Sequence, residues 1–188
     1  MNVSNRKVHK FIGLVVSVQL LLWTISGIFF SFNKIDQIRG ENYLKSVEQV
    51  TPQKISRISF DEAKELVIEK TYLKPISVEE ITEEKRGSEF RGRNLPLYKL
   101  SSLDSSDKEV NVYIDPSLGK IVAIRTFEWR LWDLMWGLHI MDWRDRDDIN
   151  NLFLKIFSIL ALISSITGII LFFSCLLYTS DAADESVC

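Results

Sequence analysis

Cysteine is missing from the first 174 residues of this chain, and histidine occurs only as His9 and His139. Without thiols over that length, a disulfide framework, a thiolate metal site and a cysteine nucleophile are excluded. Catalytic signatures are missing as well. There is no H-E-x-x-H pair, nucleophile elbow, phosphate loop or dinucleotide fingerprint, so nothing reads as a self-sufficient enzyme. No basic stripe occurs, and acidic and basic residues nearly balance between positions 33 and 150, which excludes nucleic acid as a partner. Charge itself is missing from two stretches, Phe11–Phe32 (22 residues) and Ile156–Phe173 (18 residues).

As helices these stretches span about 33 Å and about 27 Å, against a hydrocarbon core of about 30 Å. The second lengthens if Leu152–Leu154 join it and Lys155 snorkels to the interface. The first is too long for a signal-peptide core, and Phe29-Phe30-Ser31-Phe32 offers no small-x-small cleavage site. It reads as a retained anchor. Arg6, Lys7 and Lys10 precede it, so the N-terminus is expected in the cytoplasm and the central segment outside a bacterial inner membrane. The expected divisions are a cytoplasmic N-terminus (1–10), a first transmembrane helix (11–32), a connector (33–51), a small α+β domain (52–126), a Trp-rich interfacial helix and turn (127–150), a second transmembrane helix (151–173) and a tail (174–188). Within the tail, Cys175–Glu185 reads CLLYTSDAADE, which resembles a translated sequencing adapter. The tail is therefore expected to be artefactual, with the natural C-terminus beyond view.

Between the apolar runs, Ser59-Phe60-Asp61-Glu62 has the form of a capping box. Phe60, Ala63, Leu66, Val67 and Thr71 follow at helical spacing until Pro75. Strands are expected at Ile76–Thr82, Pro96–Leu103, Val110–Ile114 and Ile121–Ile124, the third half-buried. Glu83–Asn94 reads as a charged loop and Asp115–Gly119 as a turn. One helix on an antiparallel sheet makes a small α+β domain.

The run Asn111-Val112-Tyr113-Ile114-Asp115-Pro116-Ser117-Leu118-Gly119-Lys120-Ile121-Val122 resembles the closing hairpin of the PepSY domain, V-Y-V-D-x-x-T-G-x-V, with Ser117-Leu118 in place of the commoner x-Thr. Arg6–Leu14 followed by Trp23-Thr24-Ile25-Ser26-Gly27, and Leu138-His139 before a helix ending in Ile166-Thr167-Gly168-Ile169, resemble the PepSY-associated transmembrane family. That resemblance implies a membrane protein whose two transmembrane helices flank a PepSY-like domain. Similar domains occur in propeptides of thermolysin-type proteases, which they help to inhibit, and in cell-envelope proteins. Larger members have four or more helices and include ferric-siderophore reductases that hold haem b on transmembrane histidines.

Candidate sites follow. Trp129, Trp132, Trp136, His139 and Trp143 recur at 3,4,3,4 spacing, one stripe of a helix. Trp favours the membrane–water interface, so the plain reading is a helix lying at the outer leaflet with Glu128, Arg130 and Asp133 on its polar side. The functional reading is an aromatic pocket around His139 for a flat ligand. With Ser17 aligned on Ser158, the two apolar helices share Leu21/Leu162, Ile25/Ile166, Gly27/Gly168, Ile28/Ile169 and Phe32/Phe173. Gly13, Ser17, Gly27, Ser164 and Gly168 are the candidates for a packing seam within one chain or between two copies. His9 and His139 stand a bilayer apart, so haem ligation through them requires a homodimer or larger membrane complex. Asp142, Asp145, Asp147 and Asp148, interleaved with Arg144 and Arg146, read as a solvated turn rather than a calcium site, and Glu79, Glu80, Glu83 and Glu84 as a solvated face. Three functions remain: a non-catalytic module binding an envelope protein or protease, a haem b electron-transfer subunit, or a purely structural assembly anchor. The lipid bilayer is a partner of each.

Overall fold

The computed structural model describes residues 3–45 and 57–179, with side chains described over 9–45 and 57–173. The basic residues Arg6 and Lys7, the second part of the predicted connector, the start of the predicted domain at 52 and the adapter-like string fall outside the residues or side chains described. Helix α1 (Val3–Phe32) is followed by a short helix α2 (Ile35–Ile38) and a single 3-10 turn at Glu41–Tyr43. Then come α3 (Phe60–Lys70), strands β1 (Lys74–Ile81), β2 (Leu97–Leu103), β3 (Glu109–Asp115) and β4 (Lys120–Arg125), and helices α4 (Phe127–His139) and α5 (Leu152–Thr179).

The predicted capping box opens α3. Ser59 Oγ accepts from the Glu62 amide, and the Glu62 carboxylate accepts from the Ser59 amide. Ala63 and Val67 then face the sheet, where Tyr98, Leu100, Val110, Val112, Ile114 and Ile124 complete a buried core. The four strands form an antiparallel meander in sequence order, with Leu100 opposite Val112 and Val112 opposite Ile124. The turn between β3 and β4 closes because Asp115 Oδ1 accepts from the Ser117 and Leu118 amides while Gly119 takes a left-handed φ of 56°.

The second face of the sheet differs from expectation. Tyr113 is buried, not half-solvated, together with Leu97 and Ala123. The segment between β1 and β2, read as a plain charged loop, lies over them through Phe90 and Leu95. Alternation along β3 signals one apolar face only, so a loop folding back over the polar face is invisible to periodicity.

α1 and α5 pair antiparallel. Gly13 approaches Ser164, Gly168 approaches the His9 ring, and Val16 and Ala161 are buried. Most of the remaining apolar side chains on both helices, such as Phe11, Leu14, Leu21, Ile159, Leu162 and Ile169, are exposed. An apolar surface of that extent on two long helices suits hydrocarbon, not water.

Candidate functional site

The two helices leave backbone room at their crossing because the contacting residues are small, and this lets longer side chains bridge them. At one end His9 Nδ1 lies 2.7 Å from Thr167 Oγ1. At the other, His139 Nδ1 lies 2.8 Å from Ser26 Oγ. Each hydroxyl also donates to the carbonyl one turn back, Thr167 to Ile163 and Ser26 to Leu22, both at 2.8 Å. With its one proton so placed, each oxygen can accept from the ring, and the Nδ1–H tautomer then leaves Nε2 with a lone pair. Among the described residues no hydrogen bond reaches either Nε2. Of the proposed seam residues, Gly13, Ser164 and Gly168 lie in the contact. Ser17 does not: it is exposed and bonds to its own helix at Leu14. Gly27 has no neighbour within 4 Å of where its Cβ would lie.

The Ser-Gly and Thr-Gly steps correspond in the alignment of the two helices, yet the counterpart of His9 in that alignment is Asn150. His139 takes its place from α4. Thr126 caps α4 by accepting from the Trp129 amide at 3.1 Å. The helix then runs back along the C-terminal half of α1. Phe30 meets Trp132 and Trp136, with ring centroids 5.3 and 6.3 Å away, and Ser26 meets His139. Trp23 Nε1 donates to the His139 carbonyl at 2.7 Å, and Gln19 Nε2 to that of Leu138 at 3.5 Å. The contacts follow the axis of α1, so α4 stands along it instead of lying across it as expected. Apolar and hydrogen-bonding side chains of α1 that hydropathy assigns wholly to lipid supply the α4 surface.

The aromatic stripe divides. Trp132, Trp136 and His139 stack with interplanar angles of 10° and 11°, and Trp23 and Phe30 close the ring around His139. Trp129 turns the other way, beneath the guanidinium of Arg125 at 4.2 Å. Trp143 lies beyond the end of α4 and is 60% exposed, so it is no part of the helical stripe. Burial lowers the pKa of His139, which favours the neutral ring.

The polar side predicted for α4 is solvated only in part: Glu128 is exposed, whereas Arg130 and Asp133 are engaged within the protein. Asp133 is only 1% exposed and is ion-paired to Arg91 and, at 2.8 Å, to Arg146. Arg130 pairs with Glu89, whose carboxylate also accepts from Asn111 and Tyr113 at 2.9 and 3.1 Å. The acidic–basic turn after α4 is likewise docked: Asp142 accepts from the amides of Asp145, Asp147 and Asp148, and Asp145 pairs with Arg86 at 2.9 Å. Those amides hold the Asp142 carboxyl below its ordinary range despite the opposing effect of burial. The β1–β2 segment thus ties the sheet to α4 by ion pairs whose partners lie far apart in sequence, which is why spacing did not reveal them. Glu79 and Glu80, on the outer strand β1, pair at the surface with Lys99 and Arg57.

No curated protein and no solved structure matches the chain. The family model described as the PepSY-associated TM region matches residues 6–176, which takes in both apolar helices, the sheet and the two histidine–hydroxyl pairs. Two long helices with apolar surfaces, an α+β unit between them and that match lead to one assignment: this chain is a membrane protein and belongs to the PepSY-associated TM region family.

Proposed function

We propose that the chain is a membrane-anchored binding and regulatory module of the bacterial cell envelope, without catalysis of its own. Its N-terminus faces the cytoplasm, and the sheet faces the compartment outside the inner membrane. The basic residues before the first apolar run support that orientation. The observation that carries the reading is the union of a clamped domain with open sheet edges. Arg91, Arg146 and Asp133 fix the sheet to α4, while β1 and β4 each pair on one side only. A rigidly held edge can capture an extended segment of an envelope protein or a protease by strand addition. The test places photocrosslinking side chains in the full-length protein at the exposed edge positions Ile76 and Lys120, with lipid-facing Phe11 as control. A discrete envelope protein is expected at the edges and not at Phe11. Adducts identical at all three positions, or none, would sink the reading.

A second reading, a haem b electron-transfer subunit, is favoured by the free Nε2 atoms of His9 and His139. Metal-bound histidines commonly donate their other ring N–H to a fixed acceptor, as both do here to Thr167 and Ser26. The pairs lie about 25 Å apart along α1, so each histidine would supply one axial ligand and a second copy of the chain the other. Haem held there would relay single electrons. Full-length protein made with added haem should then show a Soret band that His139→Ala diminishes, and its absence would dispose of this reading.

A further inference from the structure

The outer edge of β4 borders a groove of about 580 Å3, lined by Ile121–Arg125, by Trp129, and by Arg39, Glu41, Leu44 and Arg93. Three guanidinium groups and a single carboxylate share this lining. Among the described residues none of Arg39, Arg93 and Arg125 is ion-paired, whereas Glu89 and Asp133 are already engaged by other arginines. Arg125 is held in place: its ring partner is Trp129, its Nε donates to the Glu89 carbonyl at 2.9 Å, and one terminal nitrogen donates to the Ile124 carbonyl at 3.1 Å. Burial and the nearby Arg93 pull its pKa down to about 10, against the opposing influence of Glu89. Gly40, with φ of 77°, lies so close to Ile124 that a Cβ would fall 2.7 Å from its Cγ2, so the Arg39–Leu44 segment bounds the groove.

We propose that this groove takes an extended, carboxylate-bearing peptide segment of a partner protein, added as a further strand along β4. The inference rests on the binding-module reading above and gives it a place and a charge. A phospholipid headgroup would also meet arginines, but it needs one point of contact. Here the lining follows β4, which pairs with no second described strand and is approached at Ile124 by Gly40 and the Arg125 guanidinium, the shape of an extended chain. Guanidinium forks suit carboxylates in geometry as well as charge.

The test uses full-length protein in phosphatidylcholine nanodiscs and a labelled short peptide of alternating glutamate and valine, followed by fluorescence anisotropy. Two analogues accompany it, one with lysine for glutamate and one with alternate backbone amides methylated. Both analogues should bind at least about tenfold more weakly than the parent. Arg39→Gln and Arg93→Gln, at exposed positions, should each weaken the parent severalfold without altering thermal unfolding. Equal binding of the glutamate and lysine peptides overturns the charge assignment. If the edge crosslinks persist in that case, the broader reading stands without this one; if they fail too, both fall. Loss of peptide binding when phosphatidylglycerol is added, relieved by the arginine variants, overturns the proposal in favour of a headgroup site.

Discussion

The two ends of the transmembrane pair make the same bond in different company. His9 meets Thr167 beside Gly168, and among the described residues no aromatic ring packs against it. His139 meets Ser26 inside a ring of Trp23, Phe30, Trp132 and Trp136, on a helix that is itself ion-paired to the sheet domain. Identical local chemistry therefore serves two different mechanical situations. The His9 bond joins two helices; the His139 bond is the last link of a chain running from the sheet through Arg91, Asp133 and α4 to α1. Of the two histidines, His139 is the one on a helix that is ion-paired to the sheet domain.

The change with the largest expected effect is Asp133→Ala. It leaves the Arg91 and Arg146 guanidiniums partly buried without their carboxylate, a loss of about 3 to 5 kcal/mol for a buried pair, toward the lower figure because both arginines keep some exposure. Hydrogen exchange should rise in the β1–β2 segment and α4 but not around His9; a uniform rise would erase the distinction between the ends. Ser26→Ala comes next. It removes the acceptor of a partly buried ring N–H at a cost of about 1 kcal/mol, read as a lower unfolding temperature and faster exchange in the last turn of α4. Thr167→Val should cost less, about 0.6 kcal/mol, the mean for a hydrogen bond between helices in lipid, with α4 exchange unchanged.

The smallest effect concerns pH, and it too separates the ends. Burial lowers the His139 pKa from its ordinary value of about 6.5. Above that value folded and unfolded rings are both neutral and stability does not change. As pH falls below it, the unfolded ring takes up the proton first, so stability declines toward the folded pKa. Thermal unfolding between pH 7.5 and pH 5 should show this decline, flattened in His139→Gln. A decline undiminished by that substitution would assign the pH response to other groups.

Much of this was legible in the sequence. The Ser59–Glu62 box, the alternation of Val110, Val112 and Ile114 and the Asp115 turn are local, each set by residues a few positions apart, and each forms as read. The uncharged runs needed only length. The site was legible in its parts and not in its joins. Ser26-Gly27, Thr167-Gly168 and both histidines stood out, yet Ser26 and His139 are 113 residues apart, and nothing periodic connects them. Asp133 was read as solvated because its spacing on α4 resembles any polar face; its arginines come from two segments without regular structure. The split of the tryptophan stripe has the same origin, since helical spacing says which side chains align but not that Trp129 meets a guanidinium instead of lipid.

The carbonyls at the end of α4 carry a consequence for biogenesis. Those of Leu138 and His139 accept from Gln19 and Trp23 of α1, which precedes α4 in the chain. The last turn of α4 can therefore set only against a segment already threaded into the bilayer. A version of the middle portion cut free of α1 would carry that turn frayed and its imidazole unmoored, so the turn matures only once α1 is in place.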